Sequence, residues 1–436
     1  MSGSSGAHGA AARRRPFRAL FTCGGRAALA AIALIAGTAA AGEYSGTIVD
    51  ANTGLPVAGA RVTLDGRVGA TGPDGRFAVS GDGGLIGIRA PGYARQWLPA
   101  ARQSDASPPV ALVPFRPKAL YLSFYGIGSD TLRQSALDLV AATELNALVI
   151  DIKGDRGGIA YPSAIALAHE AGAQATLTIR DLEGLLASLH EKGIYTIARI
   201  VTFKDHPLAM SRPDLAVRTK GGAVWRDREG LAWTDPFRQE VRDYNIAVAV
   251  EAARGGFDEI QFDYIRFPDA PGLVFSGPNT EHDRRAAVAA FLREAGAQLA
   301  PYNVFLAADI FGYVCWNDND MGIGQKLEEL EPLVDYISPM LYPSCYHRGI
   351  PGIANPVQHP YDIVYRSLQR ARERTQVSAL RFRPWLQAFR DYAFDRRPFT
   401  GREIREQIRA AEEFGSGGWM LWNPRNVYTG DGLDKE

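Results

Sequence analysis

The 436-residue sequence predicts an α/β chain, a (β/α)8 TIM barrel preceded by an N-terminal all-β, immunoglobulin-like sandwich. Two patterns carry that expectation. From Arg116 onward, eight apolar strand-like runs alternate with helical stretches, the pattern of a closed barrel rather than an open doubly wound sheet. From Tyr44 to Val113, short β-branched runs are broken by Gly, Asn, Asp and Pro at intervals of roughly 8 to 12 residues, as in a small sandwich. Composition sets the outer bounds. With 46% hydrophobic and 22% charged residues the chain can bury a large core, which excludes wholesale disorder, a collagen-like rod and a disulfide-dense mini-scaffold. The balance of 48 Lys+Arg against 48 Asp+Glu lacks the basic surplus of a nucleic-acid binder.

The first element is a leader. Residues 1–41 hold Arg13, Arg14, Arg15, Arg18 and Arg26 with no acid, then the apolar run Ala27–Ala36 and the small-residue stretch Ala39-Ala40-Ala41. A basic segment, a short apolar segment and an A-x-A site predict a signal peptide cleaved near Gly42, with an uncleaved anchor as the alternative. The exported chain then keeps 43 basic and 48 acidic residues, a net of −5, and resides in the periplasm or outside the cell. Arg14-Arg15-Pro16-Phe17 leaves the route open between general and twin-arginine export. No stable membrane insertion is expected once the leader is gone. Cys23 leaves with it, so Cys315 and Cys345 remain, and in an oxidising compartment they predict a disulfide; two buried free thiols are the alternative.

Residues 42–115 form the predicted sandwich. In Gly72-Pro73-Asp74-Gly75 the proline pre-sets a turn and Gly75 supplies positive φ, so a hairpin is expected there. The run GTIVDANTGLPVAGARVTL with TGPDGRF resembles the carboxypeptidase regulatory-like domain, which implies an accessory module, either a spacer or a carbohydrate-binding unit.

Residues 116–436 form the predicted barrel. Its strands are expected at 119–125, 147–152, 195–201, 259–262, 304–308, 336–339, 383–387 and 418–421, with helices over 131–144, 181–192, 236–254, 281–299, 322–330, 361–374 and 402–414. Asp235-Pro236 reads as a helix N-cap followed by proline, and Thr400-Gly401-Arg402-Glu403 as a capping box. After Leu421 only a Gly-, Asp- and Asn-rich tail remains, so the eighth helix is short or missing. Its absence leaves an apolar flank for the sandwich or the 108–117 linker to cover.

Barrel chemistry sits at the C-terminal ends of the strands. In FDEIQFDYIRFP, period two puts Glu259, Gln261 and Asp263 on one face, so Asp263 stands inward at the strand end. A buried carboxylate there needs a partner, and a tether to Arg266 is the structural alternative to catalysis. The fifth run ends in Asp309, a second acid on the adjacent strand. Two strand-end carboxylates are what glycoside hydrolysis requires, although a metal ligand or a hydrogen-bond acceptor would also fit Asp309. Asp151 on the second strand is the reserve acid. Arg199, Tyr342, Trp385, Trp422 and Asn423 complete a polar and aromatic cup suited to a saccharide. Other chemistries fail in the text. The D-x-x-D-x-D-x-E pattern ends in Ile265 instead of an acid, the seven His show no metal spacing, and neither G-x-S-x-G nor G-x-x-x-x-G-K-[ST] occurs. No cofactor and no metal are expected.

The segments KALYLSFYGIGS, LNALVIDIKGDRG, YTIARIVTFKD, GFDEIQFDYIRFP, ISPMLYPSCY and GGWMLWNPRNVY resemble the putative glycosyl hydrolase domain family, a bacterial family distantly similar to alpha-amylase barrels. The resemblance implies a nucleophile at Asp263 and a general acid at Asp309. Against the amylase pattern, Gln261 replaces the expected Arg, Asp309 stands for Glu, and no His-Asp pair ends the seventh run. The expected function is therefore an exported glycoside hydrolase acting on a polysaccharide or oligosaccharide, the alternative being an inactive barrel that binds glycans.

Overall fold

A computed structural model describes residues 42–100 and 107–435; the predicted leader, including Cys23, lies outside the described residues. Seven strands precede the barrel in two sheets. Gly42–Asp50 lies between Arg76–Gly81 and Val110–Leu112, while Arg67–Ala70, Arg61–Leu64, Leu85–Arg89 and Gln96–Pro99 form the second sheet in that order. Alternate residues of the two sheets, among them Ile48, Val62, Phe77, Val79 and Ile88, share one core. The predicted turn at Gly72–Gly75 forms, with Gly75 at φ 73° and its N–H donating to the Gly72 carbonyl at 2.9 Å. It is not a hairpin, however. The strands on either side belong to different sheets, so the turn carries the chain from one layer to the other.

Eight parallel strands then close in sequential order: Lys118–Leu122, Ala147–Lys153, Tyr195–Val201, Glu259–Asp263, Phe305–Phe311, Tyr336–Met340, Trp385–Gln387 and Trp419–Trp422, the last pairing with the first. Period two sorts their side chains. Leu120, Ile150, Ile200, Phe262, Ile310 and Leu421 face the helices. Ala119, Val149, Ile197, Ala307, Trp385 and Met420 face the lumen. Charge fills the rest of the lumen. Arg383 Nη1 meets Glu259 Oε2 at 2.5 Å, with both side chains wholly buried, and Tyr195 Oη donates to the same oxygen at 3.0 Å. One layer higher, Gln261 Nε2 donates to Ser338 Oγ at 3.1 Å. Glu259, Gln261 and Asp263 thus share the inner face, as their spacing predicts.

Two local features depart from the sequence reading and one follows it. Asp235 does not cap the long helix, which runs Gln239–Gly255 with Arg238 at its N-cap. Its carboxylate instead accepts from the N–H groups of Phe237 at 3.0 Å and Ser276 at 2.6 Å, pinning the preceding turn to a neighbouring loop. Pairing skips a residue beside Arg199 and Ile200, which face Asp151 and Lys153. That bulge turns Lys153 away from the lumen. Its Nζ lies 2.8 Å from Asp205 Oδ2, both side chains fully buried, and donates to Asn245 Oδ1 at 3.0 Å. The capping box at Thr400 forms as expected, with Glu403 accepting from the Thr400 N–H at 2.9 Å.

No helix follows Trp422 among the described residues. The flank is covered by the C-terminal tail itself, because Leu433 is buried and the Glu144 N–H donates to the Asp434 carbonyl at 2.9 Å. The sandwich sits elsewhere, against the N-terminal ends of the strands. Arg61 and Arg89 reach Asp335 at 2.9 and 3.1 Å, and Arg95 reaches Asp258 at 2.9 Å, just ahead of the sixth and fourth strands. Burial pushes the Asp335 carboxyl up, but the two guanidiniums outweigh it and hold it below the ordinary carboxylate value.

The predicted disulfide is absent: Cys315 and Cys345 are free thiols. Cys315 packs in the layer between strands and helices, whereas Cys345 packs against the lumen cluster, its Sγ 3.2 Å from Tyr392 Oη. Sequence proximity to adjacent strand ends is not enough when the two side chains enter different layers. Burial pushes the Cys315 thiol up to about 12, which suppresses its thiolate.

Candidate active site

The C-terminal ends of strands two to five converge on one guanidinium. Arg199, on the third strand and 1% exposed, donates from Nη1 to Asp151 Oδ1 at 2.6 Å and from Nε and Nη2 to Asp263 Oδ2 at 3.1 and 2.5 Å. Its Nη2 also reaches Asp155 Oδ1 at 3.3 Å, and Nε lies 3.9 Å from Asp309 Oδ2. Four carboxylates from three other strands therefore share one cation. Arg199 is consequently no open substrate contact.

Asp263 closes its strand. Its Oδ1 accepts from the Tyr264 N–H at 2.5 Å, and Tyr264 adopts φ 52°, a left-handed conformation that is costly for a bulky residue. That turn ends the strand and leaves the carboxylate facing inward. The alternative tether to Arg266 does not form. The Arg266 guanidinium lies instead over the rings of Trp233 and Tyr264, at 4.9 and 5.0 Å.

Asp309 is 1% exposed. Trp385 Nε1 donates to its Oδ1 at 2.8 Å, while Oδ2 has no hydrogen-bond partner. Burial, reinforced by the Asp263 charge, pushes its carboxyl well above the ordinary value, with Arg199 and Trp385 opposing. Asp151 is likewise raised by burial, to about 6, against the pull of Arg199, and accepts from Tyr121 Oη at 2.6 Å.

Asp263, Asp309, Tyr342, Trp385 and Trp422 line one cavity of about 230 Å³ together with Tyr264, Arg266 and Gln325. Trp422 stacks on Tyr121 with centroids 3.9 Å apart and meets Trp385 edge-on at 5.4 Å. Asn423 is not part of the cup. Its amide donates to the carbonyls of Ala388 and Val427 at 2.7 and 2.8 Å, and so fixes the loop after the eighth strand. Among the described residues no group of three His, Cys, Asp or Glu side chains is placed to hold a metal ion.

Tyr121, Tyr264, Arg266 and Gln325 were not singled out by the sequence as site residues. Tyr121 had a signal, since it alternates with the outward Leu120 and Leu122. Gln325 had none: it lies in a loop and comes to the site by accepting from the Phe311 N–H at 2.9 Å.

A (β/α)8 barrel with carboxylates at the ends of neighbouring strands is an arrangement that glycoside hydrolysis can use, among the many chemistries this fold hosts. Residues 119–428 match the family described as "Putative glycosyl hydrolase domain", and the chain belongs to that family. Among solved structures, a hypothetical protein from Ruminiclostridium thermocellum ATCC 27405 is 40% identical over 44% of this chain and 96% of its own, with a TM-score of 0.40. The PgaB (BpsB) glycoside hydrolase domain from Bordetella bronchiseptica is 14% identical over 72% of this chain and 95% of its own, at 0.49. A class V chitinase from Pseudomonas fluorescens Pf-5 is 15% identical over 72% and 97%, at 0.44. No curated protein matches the chain.

Proposed function

We propose that this chain is an exported glycoside hydrolase that cleaves a polysaccharide or oligosaccharide, with Asp263 as nucleophile or base and Asp309 as general acid. One observation carries the reading. Asp263 is held at the cavity by a guanidinium and a backbone N–H, while Asp309 across the same cavity is buried with a bare Oδ2 that can carry a proton. In the first step an Asp263 oxygen bonds the anomeric carbon as Asp309 passes its proton to the departing glycosidic oxygen. In the second, water attacks that carbon, gives its proton to Asp309 and releases Asp263.

The geometry admits this two-step, retaining course. Asp263 Oδ2 and Asp309 Oδ2 lie 3.1 and 3.9 Å from the same nitrogen, so their separation cannot exceed those distances laid end to end. That limit falls near the bottom of the roughly 6.5–9.5 Å range of inverting pairs. Asp151 serves as the second anchor of Arg199 rather than as the acid. The leader pattern supports export, and the sandwich at the base of the barrel fits a supporting module better than a substrate-binding one.

Reducing-end release across a polysaccharide panel identifies the substrate, and Asp263→Asn then abolishes turnover while glycan binding survives. Full hydrolytic rate in Asp263→Asn removes the assignment. A parent protein that binds a glycan but cleaves none puts the inactive glycan-binding barrel in its place.

A further inference from the structure

The cavity at the carboxylates is not isolated. It shares Asp155 and Trp422 with a second cavity of about 360 Å³ over the ends of the first two strands, and that one shares Tyr125 with a third. Tyr125 stands 62% exposed between the latter two, steadied edge-on against Phe124 at 5.0 Å. The three form one track leading away from Asp263, with Trp422 and Tyr125 as ring-sized platforms at its two junctions.

Each section also carries one guanidinium that no carboxylate neutralises among the described residues. Arg266 in the first has only the Phe267 carbonyl at 3.3 Å and the two ring faces. Arg156 in the second and Arg180 in the third have no hydrogen-bond or ionic partner among the described residues. The acids along the track are committed: Asp151 and Asp263 to Arg199, and Asp130 to Arg133. Asp155, 45% exposed in its side chain, shares Arg199 at 3.3 Å. Arg199 brings one positive charge to three of these carboxylates, so the track is not positive overall; the guanidiniums without a carboxylate partner are Arg266, Arg156 and Arg180, and they recur from section to section. Guanidinium groups that repeat beside aromatic faces suit a chain of sugar rings with repeating anionic substituents.

We infer that the track is an extended binding groove for an acidic polysaccharide, whose rings stack on Trp422 and Tyr125 while its carboxylates or sulfates pair with Arg266, Arg156 and Arg180. This rests on the hydrolytic reading for its orientation toward Asp263, but its binding chemistry is separable from cleavage.

The test uses full-length Asp263→Asn as a non-cleaving host and measures calorimetric affinity for polygalacturonate, alginate and hyaluronan against neutral dextran and cationic chitosan. At least one acidic polymer should bind about 10-fold or more tighter than dextran and chitosan, and salt should weaken it. The added pair Arg156→Gln and Arg180→Gln should lower that affinity about 10-fold, Arg156→Lys with Arg180→Lys should recover part of it, and Tyr125→Ala should weaken binding to long chains more than to disaccharides. Preference for dextran or chitosan, absence of binding to every acidic polymer, or unchanged affinity in a glutamine variant whose thermal melt matches the host overturns the groove. Hydrolysis by Asp263→Asn overturns the catalytic assignment instead, leaving the binding result to stand or fall by itself.

Discussion

Burial beside another acid pushes the Asp309 carboxyl well above the ordinary value, and in the proposed reaction it is the general acid, which works only while protonated. The rate should therefore persist above the pH at which an ordinary carboxylate has ionised and decline as pH rises through the elevated Asp309 value. Asp309→Asn keeps the acceptor for Trp385 Nε1 but has no acid proton to give. Its turnover should drop about 10²- to 10⁴-fold on substrates with poor leaving groups and much less on activated aryl glycosides, and the alkaline limb of the pH profile should vanish. Side-by-side pH–rate profiles of parent and variant check both outcomes. Asp263 and Asp309 were legible in the sequence because a period-two face and a strand end together nearly fix where a side chain points. Arg199 was visible as a strand-end residue, but its role was not. That role depends on distances among four strands, and no single strand carries that information.

The second strand teaches the same lesson one level up. Its bounds could be read from the apolar run ALVIDIK, yet the bulge that sends Lys153 outward could not, because a bulge is a property of pairing with the third strand. Lys153 now neutralises Asp205, which in turn caps the helix His206–Ser211 through the Leu208 N–H at 3.0 Å. Lys153→Met would leave a fully buried carboxylate without its cation. It should cost about 3–5 kcal/mol in denaturant unfolding, and Lys153→Met with Asp205→Asn should cost less than the single change. Pairing of the two cysteines failed for a related reason, since loop proximity says nothing about which layer each thiol enters.

At the scale of the molecule, the sandwich is tied to the end of the barrel remote from Asp263, and its core is separate from the barrel's. Asp335 is the main charged tie, 3% exposed in its side chain and facing Arg61 and Arg89. Asp335→Ala would strand the buried Arg89, so a loss of about 3–5 kcal/mol is expected. Scanning calorimetry should then resolve sandwich and barrel as two transitions, where the parent shows more nearly one. Residual hydrolysis by this variant at low temperature should be unchanged, because none of its contacts reaches the carboxylates. The alternation of strands and helices made this two-part plan readable from the sequence. The face on which the parts meet was not readable, since it depends on single residues such as Asp258 and Asp335, which precede strands far apart in the sequence.

Closure by Trp419–Trp422 has a bearing on how the chain is made. Until that segment leaves the ribosome, Lys118–Leu122 and Trp385–Gln387 are both unpaired sheet margins, and Arg405 lacks the Asp434 carboxylate it meets at 2.8 Å. A nascent chain translated only as far as residue 415 is thus an open curl with two adhesive edges, which is the state most prone to pairing with a neighbour. Chaperone demand should therefore fall abruptly once the last strand is available, and truncation at residue 415 would freeze the open state in place.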